Sequence, residues 1–204
     1  PGRQPVGHHL QPGRPGPFIA GIGASAGGLD AFKKFLIGMP ANSGVALVLI
    51  PHLDPNHESL LVELLSRFTK MPVVEATGGM TVEANHVYVI PPNKYMTISD
   101  GKLRLTGPVE RGEPYTSIDL FLRSLASDKQ DKAICIILTG TSSHGSLGLK
   151  AIKAADGMAM VQDPETAEYP QMPESAVATG LADYALTKRD LSSFFASISK
   201  KLEI

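Results

Sequence analysis

The sequence has no tryptophan, a single cysteine and few aromatic residues, 6% in all. One thiol, Cys135, excludes an internal disulfide framework and a cysteine-rich metal site. It lies in "AICIILT", an apolar run that reads as a buried strand, so Cys135 is read as a small core side chain. No stretch approaches the ~18 consecutive apolar residues of a membrane-spanning helix, and no secretory leader is visible. Charge is also nearly absent as a net quantity: 19 basic and 20 acidic residues leave −1. The whole-chain field therefore gives no pull toward nucleic acid or an anionic membrane. A cytoplasmic protein without membrane insertion is the expectation. The first residue is proline, not methionine, which reads as a fragment or a processed chain.

What is present is an ordinary globular mix, 43% hydrophobic and 19% charged over 204 residues, enough for one domain with a real core. Residues 1–16 stand apart, with four prolines, four glycines and almost nothing apolar. Such a segment buries too little to offset its chain entropy. It reads as a tail or interdomain linker, and its His8-His9 pair as solvated rather than metal-binding. The folded domain is expected over 17–204.

From Pro17 the pattern alternates. "PFIAGIG" reads as a strand, and residues 28–38 as a helix with Leu29, Phe32, Phe35 and Leu36 at helical spacing. "VALVLI" at 45–50 is a continuous β-branched run, the pattern of a strand buried on both faces. Residues 57–68 form an amphipathic pattern with Leu60, Leu61, Leu64, Leu65 and Phe68 on one side. A strand over 133–139, a helix over 146–155 and a strand over 157–162 follow, then helices over 173–179 and 190–202. The βαβα alternation predicts an α/β fold, a doubly wound and mainly parallel sheet flanked by helices. One part departs from it: Asp100-Gly101 separates two alternating segments in which Met96 and Ile98 answer Leu103 and Leu105. This predicts an antiparallel hairpin around residues 86–106.

Two motifs overlap in "GIGASAGG" (residues 21–28). Gly21, Gly23 and Ala26 spell G-x-G-x-x-A, a dinucleotide fingerprint. Gly23, Ser25 and Gly27 spell G-x-S-x-G, a nucleophile elbow. The first reading wants an acid at the end of the second strand to hold ribose hydroxyls. That strand ends "LIPHLDP", where Asp54 stands late, and nothing else resembles a nicotinamide site. The second reading wants a base. In an open α/β sheet, ligands sit beyond the carboxyl ends of the strands. Ser25, His52 in "PHLDPNH" and the loop "GTSSHGSLG" all follow such ends. Each has a plainer reading alone: a turn or cap serine, a strand-end histidine, an ordinary strand-to-helix loop. Together they fit a serine activated by a histidine, with the Ala26 N–H aimed at a developing oxyanion.

These segments carry a resemblance. "GIGASAGGLDAF", "VLIPHL", "VYVIPPNKYM", "TSIDLFLRSLA", "IILTGTSSHGSLGLKAIKAADG" and "VQDPETAEYPQMPESAV" are similar to the catalytic domain of chemotaxis protein-glutamate methylesterases (CheB), in particular the branch fused to the matching methyltransferase. The resemblance runs from about Phe18 to Ser193. It implies a doubly wound α/β enzyme without cofactor or metal that hydrolyses glutamate methyl esters on chemoreceptors, releases methanol, and also deamidates glutamines. It implies Ser25 as nucleophile, His52 as general base, and the amides of Ala26 and Thr141 as oxyanion donors. Implied partners are methyl-accepting receptors, with a receiver domain or a fused methyltransferase domain.

The chain departs from the family at one place that matters. Where the family carries the aspartate that orients the histidine, this chain has His144, in "TSSHG". Thr141 likewise stands where better-known members have methionine. A histidine cannot supply a carboxylate's charge; in serine proteases a neutral amide at that position lowers kcat about 10⁴-fold. Asp54, Asp119 and Asp163 are candidate substitute acids. Two alternatives to the esterase therefore stand: an impaired or inactive interaction module of the same family, and, more remotely, a nucleotide-binding module.

Overall fold

The structure is a computed structural model and describes residues 16–52, 60–107 and 116–187. The sequence-predicted helix 190–202, the histidines of the proline-rich segment and Asp54 lie outside the described residues.

Seven strands form one parallel sheet: β1 (Phe18–Ala24), β2 (Val45–Pro51), β3 (Val73–Glu75), β4 (Val87–Val89), β7 (Ala133–Ile137), β8 (Met158–Gln162) and β9 (Tyr184–Leu186). Their order is β3-β4-β2-β1-β7-β8-β9, and every neighbouring pair runs parallel. The order reverses direction at β1, with β2 on one side and β7 on the other. That is the switch point where a crevice opens beyond the strand ends. β1 and β2 are buried almost throughout, as two-faced packing of continuous apolar runs demands.

Helices cover both faces. α1 (Gly28–Gly38) and α2 (Leu61–Ser66) lie on one, where Phe32, Phe35, Leu36, Leu61 and Leu65 pack on Ala20, Ile22, Leu47 and Leu49. α3 (Ser117–Lys129), α4 (Ser146–Ala154) and α5 (Gln171–Val177) lie on the other. There Ile118, Phe121, Leu122, Leu149 and Met172 pack on Ile19, Val48, Cys135 and Ile137. The amphipathic stripe expected over 57–68 is narrower than its spacing suggests. Leu61 and Leu65 are buried, whereas Leu60 is 67% exposed at the head of a helix only six residues long.

The antiparallel hairpin is β5 (Tyr95–Ser99) with β6 (Lys102–Thr106), in the register Met96 opposite Leu105 and Ile98 opposite Leu103. Asp100 and Gly101 both take positive φ, 53° and 71°, as a two-residue hairpin turn requires. The hairpin is shorter than the expected span, because Val87–Val89 belongs to the main sheet as β4. It docks on α3, burying Met96, Ile98 and Leu103. Ile98 N–H donates to Ser124 Oγ at 3.0 Å, and the Asp128 carboxylate accepts from the turn amides of Asp100 (2.7 Å) and Gly101 (3.1 Å).

Candidate active site

β2, β1 and β7 are adjacent and parallel, so their carboxyl ends bring Ser25, His52 and the 140–145 loop to one place. Ser25 follows β1 directly. Its N–H donates to the Thr139 carbonyl (3.0 Å), and its own carbonyl accepts from Gly28 N–H (2.8 Å). Between them Gly27 holds φ 72°, the left-handed conformation that turns a strand into a helix within one step and suits glycine. Positive φ falls on Gly27 and not on Ser25. The turn is thus a strand-to-helix elbow whose unusual backbone is carried by a glycine.

On β1 the side of the sheet alternates, and Gly21 and Gly23 belong to the face covered by α3. A Cβ on Gly21 would lie 2.8 Å from Leu122 Cδ2, and one on Gly23 would lie 2.6 Å from Ile118 Cγ2. Those two glycines are therefore spent on seating a helix against the strand. That removes the pyrophosphate role from the G-x-G-x-x-A spelling.

His52 is exposed and is held across the β1–β2 seam by its N–H, which donates to the Ala24 carbonyl at 2.8 Å. Ser25 is only 6% exposed. Among the described residues the Ser25 hydroxyl and the His52 ring share no hydrogen bond; in unliganded hydrolases this contact is often long and tightens with substrate. From the other side comes Gly140. A Cβ there would stand 2.9 Å from Ser25 Cβ and 2.1 Å from Met172 Sδ, so the absence of a side chain is what lets the loop close on the serine. Gly140 N–H donates to the Tyr169 carbonyl (2.9 Å), and its carbonyl accepts from Met172 N–H (3.0 Å). The next residue is Thr141. Among the described residues neither its N–H nor that of Ala26 is engaged in a hydrogen bond.

His144 reaches His52. Their ring centroids are 5.0 Å apart with planes at 81°, edge to face. His144 is half-buried, and its Nδ1 is buried with no hydrogen-bond partner, as is Ser146 Oγ two residues on. Burial lowers the His144 pKa, the neighbouring His52 lowers it further, and the charge of Asp119 only partly opposes them. His144 is therefore biased toward the neutral imidazole. The loop that presents it carries Ser142 at φ 91°, a conformation non-glycine residues avoid and one that concentrates at functional sites.

Of the three candidate acids, Asp54 lies outside the described residues. Asp163 accepts from Glu165 N–H at 3.0 Å and caps a short 3-10 turn. Asp119 is buried in the first turn of α3. Its Oδ1 accepts from Gly148 N–H (2.8 Å) and its Oδ2 from the Thr116 hydroxyl (2.7 Å). Among the described residues no group of three or more His, Cys, Asp or Glu is arranged to hold a metal. Burial pushes the Cys135 thiol up, out of the range of a reactive thiolate. A cavity of about 290 Å³ lies on the α1 face, lined by Gly27, Asp30, Lys34, Thr139, Gln162 and Glu168 among others, and Ser25 and His52 are not part of its wall. Gly140 and Ser142 lie in the loop "GTSSHGSLG" and Met172 in "VQDPETAEYPQMPESAV", but nothing in either segment alone marks these three residues as the ones that shape the surroundings of Ser25.

The family model described as CheB methylesterase matches residues 20–195. The chain belongs to the CheB methylesterase family. Its fold agrees with the crystal structure of the Thermotoga maritima CheB methylesterase catalytic domain at a TM-score of 0.81 and 26% identity, covering 91% of this chain and 100% of that one. A Leptospira interrogans relative is 33% identical over 180 residues, 88% of this chain and 93% of that protein. A Burkholderia orbicola protein-glutamate methylesterase/protein-glutamine glutaminase is 36% identical over 178 residues, 86% of this chain but 52% of that protein. This CheB-family domain thus spans about half the length of the Burkholderia relative. Among its described residues no helix is long and apolar enough to cross a membrane.

Proposed function

We propose that this domain is a serine hydrolase that removes methyl esters from glutamate side chains of chemoreceptors in the cytoplasm, and that glutamine amides are a second substrate. The observation that carries the reading is the arrangement around Ser25. It stands at the switch point with His52 on the β2 side, and the Ala26 and Thr141 amides make no hydrogen bond among the described residues, which leaves them free for an oxyanion. His52 takes the Ser25 proton as Oγ bonds to the ester carbonyl carbon. The negative charge that develops on the carbonyl oxygen meets the two amides. The C–O bond to methoxide then breaks, His52 returns its proton, and methanol leaves. Water, deprotonated by His52, attacks the Ser25 ester; the glutamate departs and Oγ recovers its proton. Glutamine follows the same course with ammonia as the leaving group. No step needs a metal or an organic cofactor.

Methanol release from methylated receptor fragments tests this. Ser25→Ala and His52→Ala are each expected to bring the rate to background while the domain still folds. A Ser25→Ala variant with the full rate would overturn the assignment. His144 in the place of an acid favours one second reading, an interaction module that binds receptor helices, or a receiver or methyltransferase domain, without hydrolysis. Receptor binding with no methanol release, indifferent to Ser25→Ala, is its signature.

A further inference from the structure

The acid missing from position 144 has a counterpart one step further from His52. Asp119 is 3% exposed and tied by its Oδ1 to Gly148 N–H, in the first turn of the helix that the His144 loop leads into. His144 is flanked by both: its ring lies edge to face against His52, and the residue after it, Gly145, packs on Ile118 beside Asp119, where a Cβ would stand 3.3 Å from Ile118 Cγ2; its Nδ1 is buried and makes no hydrogen bond. A neutral imidazole offers one donor and one acceptor. With its proton on the buried Nδ1, His144 leaves Nε2 as an acceptor for the His52 N–H that the family's aspartate would receive. A buried donor near a carboxylate is also better placed than one facing hydrocarbon, where it would be left unsatisfied.

We propose that His144 and Asp119 together replace the orienting aspartate: His144 fixes the tautomer and direction of the His52 ring, and Asp119 supplies the negative charge behind it. The proposal rests on the esterase reading above. When His52 takes the Ser25 proton, the new positive charge is shared by hydrogen bonding with the His144 ring and faces the Asp119 carboxylate at longer range. No proton reaches Asp119, and His52 returns the one it holds to the departing methoxide. Asp119 is a positioning residue in this scheme, and it touches no reacting atom. The direction of the His144 pKa agrees: burial and His52 keep the ring neutral, and Asp119 is the one group pulling the other way.

The test is a double-mutant cycle on methanol release with the whole chain. Asp119→Asn is expected to lower kcat by about 10- to 100-fold with KM unchanged, within the range set by losing the acid behind a catalytic histidine. His144→Asp is expected to raise kcat by restoring a direct carboxylate. In the His144→Asp background the Asp119→Asn change is expected to cost less than about threefold, because the charge then sits next to His52. An equal cost in both backgrounds overturns the relay, since a purely structural Asp119 acts alike in each. Should Asp119→Asn fail to fold, His144→Ala leaves the Asp119 hydrogen bonds in place; it is expected to lower kcat at least tenfold, and an unchanged kcat overturns the relay. No methanol from the wild-type chain and from His144→Asp alike overturns the esterase reading, and the relay with it.

Discussion

Helix α3 carries a buried carboxylate at each end. Asp128, in the last turn, accepts from the two amides of the hairpin turn, with the buried Lys129 ammonium 3.5 Å away. Asp119, in the first turn, accepts from Gly148 N–H and the Thr116 hydroxyl. Asp128 ties the hairpin turn to the helix, Asp119 ties the next helix to it through Gly148, and each is shielded from solvent. Their surroundings differ. Around Asp128 the turn amides it faces are both satisfied. Close to Asp119 the structure leaves His144 Nδ1 and Ser146 Oγ buried without partners and holds Ser142 at φ 91°. Buried polar groups left unmatched are costly and uncommon. The Asp128 end of the helix is fastened for stability, and the Asp119 end leaves polar groups unmatched beside the proposed site.

The largest expected effect breaks the stable end. Asp128→Ala strands two turn amides and leaves Lys129 buried without its carboxylate, a loss of about 3–5 kcal/mol read as a shift in the denaturant midpoint. Methanol release per folded molecule is expected to stay unchanged, and a fall would erase the distinction between the ends. Gly140→Ala breaks the site end. The added Cβ meets Met172 and Ser25, so stability is expected to drop by about 1–3 kcal/mol and kcat by about 10²-fold from misplacing the nucleophile. An unchanged kcat would mean that the loop yields freely.

A pH series sharpens the comparison. His144 ordinarily titrates near 6.5 and is held lower in the fold, so below that value the unfolded chain binds the extra proton. Its contribution to stability is complete above about pH 6.5 and is lost as pH falls toward the folded pKa. Urea midpoints at pH 5 and pH 7 should converge in His144→Ala relative to wild type. The smallest change is Ser142→Gly, which relieves the positive φ and is expected to add up to about 1 kcal/mol, seen as a small rise in Tm. No gain would mean that the serine is not strained there.

Much of this is legible in the sequence. Continuous runs such as "VALVLI" announce two-faced strands, and Asp100-Gly101 announces its turn together with the register of Met96 and Ile98. The placement of Ser25 and His52 at neighbouring strand ends is legible because both follow apolar runs directly. β3 and β9 are not, since three residues are too few for periodicity to register. α3 offered clear signals: Thr116 as cap, and Ile118, Phe121, Leu122 and Leu125 at helical spacing. The segment enters the sequence reading only through the resemblance of "TSIDLFLRSLA" and through Asp119 as a candidate acid, without a helix assigned to it. Asp119 reads locally as an acid suited to a helix amino end, and only the fold sets it beneath Gly148. Gly21 and Gly23 mislead for the same reason, because small residues that admit a helix spell the same letters as small residues that admit a phosphate.

Those two glycines have a mechanical consequence. With no side chains between them, β1 and α3 lie against each other through Ile118, Phe121 and Leu122, and neither slides without driving backbone into a branched side chain. Ser25 at the tip of the strand and Asp119 in the first turn of the helix are therefore mounted on one stiff bracket. Whatever flexes at the crevice, the spacing between Ser25 and the buried Asp119 is set by packing well below it.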